Sequence, residues 1–92
     1  MNIGFDSAKD AANLAKHGVS LALAMQLEWN SALTWADTRR AYGETRQCAL
    51  ALLGECLFFA AFVDRADGRR IISLRKANNR EKARYGKTFN AS

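Results

Sequence analysis

Arg69-Arg70-Ile71-Ile72-Ser73-Leu74-Arg75-Lys76-Ala77-Asn78-Asn79-Arg80-Glu81-Lys82-Ala83-Arg84-Tyr85 changes character halfway along. Its first part is apolar and β-branched, the composition of a strand. Its last part alternates charges at helical spacing. Between them Asn78 and Glu81 stand three apart, as the N-cap and N3 residues of a capping box do. The stretch predicts a buried strand that delivers Arg75 and Lys76 to the start of a basic helix. The free N–H groups and dipole of a helix N-terminus favour anions. With Arg75, Lys76 and Arg80 gathered there, the junction is a candidate phosphate site. The same residues also read as a plain strand, a cap and a solvated helix face.

Working outward, Asp67-Gly68 is a hairpin signal, and Gly54-Glu55 is a second two-residue turn with glycine first. They predict a meander of strands over 45–53, 56–63 and 70–74. If Gly54-Glu55 is the turn, Leu53 faces Cys56 and Cys48 faces Ala61. The two sulfurs then lie on opposite faces and cannot bridge. Two buried free thiols are expected, as in a reducing compartment. The register also puts Cys48, Leu50, Leu52, Leu57, Phe59, Ala61 and Val63 on one face, and Ala49, Ala51, Leu53, Cys56, Phe58, Ala60 and Phe62 on the other. Both faces are apolar, whereas a sheet wet on one side alternates. The surplus on the second face, led by Phe58, Phe62 and Leu53, predicts a partner surface.

Upstream, residues 32–36 read as a strand, and 37–44 as a polar connection of the kind that often carries function. Asp6 or Ser7 caps a helix to His17, with Ala8, Ala11, Ala12, Leu14 and Ala15 as its apolar stripe and Gly18 as its stop. Ser20 caps a second helix over 21–28, apolar almost all round. Residues 2–5 form a short first strand. The expected fold is a single α+β domain over 1–92, a mainly antiparallel sheet with two N-terminal helices and one C-terminal helix.

The net charge of +5 is polarised: residues 65–92 carry nine Lys/Arg against two Asp/Glu, and residues 1–64 carry five against seven. An anionic partner, nucleic acid or an acidic protein surface, follows. One histidine and no CxxC or HExxH pattern argue against a zinc site, and no cofactor is expected. No run approaches the ~20 apolar residues that span a bilayer. No basic region followed by an apolar core opens the chain, so a cytoplasmic location is expected.

Phe5-Asp6, Lys9, Asn13 and Lys16-His17-Gly18-Val19-Ser20 resemble the opening of BrnT-family toxins. Gly43-Glu44-Thr45-Arg46 and Ile71-Ile72-Ser73-Leu74-Arg75-Lys76-Ala77, with Arg80-Glu81 and Tyr85, resemble later parts of that family in the same order. The chain departs at Phe5, where Trp is common, at Leu21-Ala22-Leu23-Ala24, where acidic residues usually follow the serine, and at Asn78-Asn79, often Thr-Arg. The resemblance implies a RelE-like fold and a ribonuclease toxin of a type II toxin–antitoxin pair that inhibits translation and growth. It also implies a BrnA-like ribbon-helix-helix antitoxin, in a hetero-oligomer that binds operator DNA through the antitoxin.

RNA cleaves itself when a 2′-hydroxyl attacks the neighbouring phosphate. A catalyst removes that proton, neutralises the phosphorane and protonates the leaving oxygen, and no metal is required. Arg75, Arg46 and Arg80 suit the charge, because guanidinium forks grip phosphate oxygens in pairs. Glu44, Glu81 and His17 are candidate bases, and His17, Lys76 and Tyr85 candidate acids. Each also has a structural reading: His17 as a helix end, Glu81 as a cap, Glu44 and Arg46 as a same-face pair, Tyr85 as an anchor. Lys16, Arg70, Lys76, Lys82 and Arg84 are candidate RNA contacts. Trp29 and Trp35 stack bases or pack. The rival readings are a non-catalytic basic binding module and an inactive toxin kept as its antitoxin's partner.

Overall fold

The computed structural model describes residues 2–39 and 43–90, with no side-chain description for 89 and 90. Arg40, Ala41 and Tyr42, part of the expected polar connection, lie outside the described residues. The elements are β1 (Ile3–Gly4), α1 (Ser7–His17), β2 (Leu33–Ala36), β3 (Gln47–Leu53), β4 (Cys56–Arg65), β5 (Gly68–Lys76) and α2 (Asn79–Asn90). Two 3₁₀ segments, Leu21–Gln26 and Trp29–Ser31, stand between α1 and β2. The five strands form one sheet in the order β1-β5-β4-β3-β2. All neighbours are antiparallel except β1 and β5.

The β3–β4 hairpin has the register that alternation requires, with Leu53 opposite Cys56 and Cys48 opposite Ala61. Gly54 takes φ +60° at its turn, the positive φ that primed turns demand of their first central residue. The next turn sits one residue earlier than the Asp67-Gly68 signal suggests. Arg65 pairs with Gly68, so Ala66 and Asp67 make the turn and Gly68 opens β5. Glycine is needed there for another reason. At φ +146° an added Cβ would come within 2.6 Å of the Asn2 carbonyl oxygen. That oxygen accepts the Arg69 N–H at 2.7 Å, which fastens the start of the chain to β5.

One face of the sheet carries Ala49, Ala51, Phe58, Ala60, Phe62, Ile71 and Leu74, covered by Leu21, Ala24 and Leu27. The expected second α-helix is a 3₁₀ segment, and its geometry explains the cover. At three residues per turn, side chains at i and i+3 align, so Leu21, Ala24 and Leu27 form one row. Trp29 meets Phe62 edge-on at 5.5 Å between centroids, and its Nε1 donates to the Ala24 carbonyl at 2.9 Å. Phe58 and Phe62 are therefore 4% and 0% exposed, and Leu53 packs at the margin of the same cluster. Of the partner surface expected on Phe58, Phe62 and Leu53, the two phenylalanines are core instead and Leu53 is partly buried at its margin. Alternation separated the two faces but did not say which one the N-terminal segment would cover.

The stripe expected on α1 is likewise corrected. Ala8, Ala11, Ala12, Leu14 and Ala15 are exposed, and the buried residue of the helix is Asn13. Its Nδ2 donates to the carbonyls of Leu74 at 2.7 Å and Val19 at 2.9 Å, and its Oδ1 accepts the Leu74 N–H at 3.1 Å. A single side chain thus acts as a strand partner for β5. Asp6 caps α1, accepting from Ala8 N–H and Lys9 N–H, and Gly18 closes it at φ +76°. The opposite face of the sheet packs Leu50, Leu57 and Ala77 with Leu33, Leu52, Phe59 and Tyr85.

Candidate active-site groove

Arg75 lies directly opposite Phe59, which lies opposite Leu50. Two pairs along, Trp35 faces Cys48, and Cys48 faces Ala61. Alternation brings Arg75, Phe59, Cys48 and Trp35 to the face that α2 crosses. Together with Asp37, Arg39 and Glu81 they line a groove of about 300 Å³. Its floor is the aromatic pair Trp35–Phe59, tilted at 6.1 Å between centroids.

The capping box forms as its spacing predicts. Asn78 Oδ1 accepts the Glu81 N–H at 2.8 Å, and Glu81 Oε1 accepts the Asn78 N–H at 2.9 Å. The same carboxylate takes both arms of Arg75, from Nη1 at 2.7 Å and Nη2 at 2.9 Å, while the guanidinium lies 4.3 Å over the Phe59 ring. Arg75 also reaches the Lys76 carbonyl. A guanidinium has five N–H donors, so these three bonds leave two for a ligand among the described residues. The Arg75 fork holds the Glu81 carboxyl below its usual range, against the opposing pull of burial.

On the far wall Arg39 donates from Nε and Nη2 to the two oxygens of Asp37, at 2.9 and 3.0 Å. The Asp37 side chain is 4% exposed and that of Arg39 77%. The Asp37 N–H donates to the Arg46 carbonyl at 2.8 Å, which pins the chain leaving β2 against the chain entering β3. Two guanidinium groups thus flank an aromatic floor. Guanidinium forks and aromatic surfaces are the groups with which proteins hold phosphates and unpaired bases.

Of the residues singled out from the sequence, Arg75 and Glu81 meet in the groove. Arg46 touches its rim through the backbone. Glu44 pairs with Arg65 at 3.2 Å rather than with Arg46. His17 ends α1 and Lys16 stands exposed beside it; neither lines the groove. Arg80 is exposed on the first turn of α2. Tyr85 O–H donates to the Ser31 carbonyl at 3.2 Å, and its ring packs on the Leu50–Leu57–Ala77 cluster. Lys76 and Lys82 line a separate groove beside Cys56 and Leu57. Arg70 borders a small pocket against β1. Arg84 lies 4.0 Å over Trp35. Asp37 and Arg39 were not singled out, although the polar connection that holds them was. An aspartate two residues before an arginine was the available signal.

Cys48 is buried in the groove floor, and Cys56 is exposed, which corrects the expectation of two buried thiols. Burial first, and then the Asp37 charge, push the Cys48 thiol up. It is a neutral packing group at pH 7. Iodoacetamide at neutral pH should therefore modify the native protein once, at Cys56, and twice only after denaturation. Mass spectrometry reads the number directly, and two adducts on the native protein would contradict this account of the floor.

The fold and the groove define a small basic α+β protein whose sheet carries an arginine–glutamate pair beside an aromatic floor. The chain belongs to the family described as the ribonuclease toxin BrnT of type II toxin–antitoxin systems, whose model matches residues 5–81. That span runs from the approach to α1 to the carboxylate that holds Arg75. The crystal structure of the Brucella abortus ribonuclease toxin BrnT is similar, with a TM-score of 0.66 and 25% identity, over 86% of this chain and 99% of that one. No curated protein matches the chain. The protein is a ribonuclease toxin, and an antitoxin is its partner.

Proposed function

We propose that RNA is cut in the groove between Arg75 and Arg39, by attack of a 2′-hydroxyl on its own phosphate without a metal ion. The observation that carries this reading is the Arg75 guanidinium, set over Phe59 with two donors to spare among the described residues. The 2′-hydroxyl gives its proton to solvent water and its oxygen bonds to phosphorus as the bond to the 5′-oxygen breaks; water returns a proton to that oxygen, leaving a 2′,3′-cyclic phosphate and a 5′-hydroxyl. Arg75 and Arg39 stabilise the charge that grows on the phosphorane. Glu81 is ionised and in reach as a base, but Arg75 weakens its hold on a proton. Charge stabilisation is therefore the larger share of the catalysis. His17 and Tyr85 lie outside the groove and take no part in it. The basic segment 65–92 supports an RNA substrate by steering the strand toward the groove.

Cutting RNA in the cytoplasm stops translation and growth until the antitoxin binds. A BrnA-like ribbon-helix-helix antitoxin would both cover the toxin and carry the complex to operator DNA.

The test uses one short RNA and the same strand with a single 2′-deoxynucleotide at the cut. Cleavage of the first should persist in EDTA and yield a 2′,3′-cyclic phosphate, and the second should resist. Loss of cleavage in EDTA, or equal cleavage of both strands, would sink the proposal.

A further inference from the structure

We propose that Trp35 and Arg84 form the nucleotide-holding platform of the groove, taking one unpaired base beside the phosphate on Arg75. This rests on the groove as the place where RNA is cut.

The two tryptophans of the chain have different surroundings. Trp29 is tied down, its indole N–H bonded to Ala24 and its ring set against Phe62 on the helix-covered face. Trp35 stands half-buried on β2, the last strand of the sheet. Its indole N–H has no hydrogen-bond partner among the described residues. It opens on the groove, with the Phe59 ring tilted beside it at 6.1 Å between centroids and the Arg84 guanidinium 4.0 Å over its ring. Arg84 itself is exposed.

An unpaired base is recognised by stacking on an aromatic ring or a guanidinium plane, and by hydrogen bonds to its edge. Both surfaces are present here. The base stacks on the outer plane of Arg84, or on the indole once Arg84 swings aside, and the indole N–H is a donor for its edge. Arg75 stands at the other end of the floor, over Phe59. The spacing between platform and fork is set by the sheet, because Trp35–Cys48 on β2–β3 and Phe59–Arg75 on β4–β5 are cross-strand pairs of one five-stranded sheet. The groove's volume of about 300 Å³ lies at the small end of ligand pockets. It suits a single nucleotide rather than a duplex, so the preferred substrate is single-stranded.

Loss of one stacked base weakens binding about five- to a hundredfold. Trp35→Leu should therefore raise KM for a single-stranded RNA by about tenfold or more, with kcat within about threefold, and Trp35→Phe should recover most of the loss. An uncleavable 2′-deoxy strand should quench the indole emission of the wild type and leave that of Trp35→Phe, which keeps Trp29, unchanged. Folding is checked by melting. Failure of the wild type to quench, or a folded Trp35→Leu that binds the strand as tightly as the wild type, overturns the platform. Neither result touches the role of Arg75. Conversely, full turnover by Arg75→Ala would remove the cleavage site and leave the Trp35 binding result standing.

Discussion

Arg75→Ala should lower the rate of RNA cleavage by about a hundredfold, the typical loss when one preorganised donor to transition-state charge is removed. The loss should appear in kcat, because the charge it meets develops only as the phosphorane forms. The substitution has a structural side as well. Glu81 keeps its bond from Asn78 but loses the fork that holds it ionised. The ion pair is partly exposed, at 29% and 16% for the two side chains, so its loss should cost only about 1 kcal/mol of stability. The pH dependence has a definite sign. The Glu81 carboxyl is depressed from its ordinary value of 4.5, so its contribution is complete above that value and is lost as the pH falls through the depressed value. Wild type should therefore lose more stability than Arg75→Ala on going from pH 5 to pH 2. Arg75→Lys keeps the charge without the planar fork and should fall between the two in rate. A folded Arg75→Ala protein with undiminished kcat would remove Arg75 from the chemistry.

Asn13→Leu should be the most destabilising single change in the chain. The Asn13 amide satisfies both backbone groups of Leu74 and the carbonyl of Val19. A leucine fills similar space and satisfies none of them. Each buried polar group left unpaired costs about 1–3 kcal/mol, so a total near 3 kcal/mol is expected against a typical domain stability of about 5–15 kcal/mol. For a chain of this size that lowers Tm by about 12–24 °C. Asn13→Asp should also be costly, because it lacks the two donors while keeping the acceptor. A thermal melt of Asn13→Leu within about 4 °C of wild type would show that water replaces the amide freely.

These two residues illustrate how differently parts of the molecule can be read from the sequence. The junction at Arg75 was legible because its determinants are local. Asn78 and Glu81 lie within one turn, and the strand before them alternates into the next. The β3–β4 register was legible for the same reason, since Gly54 fixes it at the turn. Asn13 was not. On α1 it looks like a polar interruption in an alanine stripe, and its partner stands 61 residues away. Local pattern puts alanine inward, whereas the unpaired edge of β5 demands an amide. The segment 21–27 was misread because its buried row has a period of three, which an α-helical template smears round the helix. The partner surface was expected at Phe58 and Phe62 for a separate reason: both hairpin faces are apolar, and alternation does not say which one the N-terminal segment covers. Within the groove, one wall was legible through the capping box. The Asp37–Arg39 wall depends on how the chain leaves β2, which composition alone does not fix.

The two margins of the sheet have unequal consequences for growth by strand addition. On the β5 side, β1 occupies Arg69 and Arg70, and Asn13 holds both backbone groups of Leu74. An incoming strand there meets interruption twice within six residues. The β2 side is four residues of terminal strand, Leu33–Ala36, with Trp35 among them. Unguarded edges are where chains join edge to edge into dimers or aggregates. In this protein such joining is directed to one short margin. That margin carries a wall of the groove, so a strand added to β2 would also alter access to the floor.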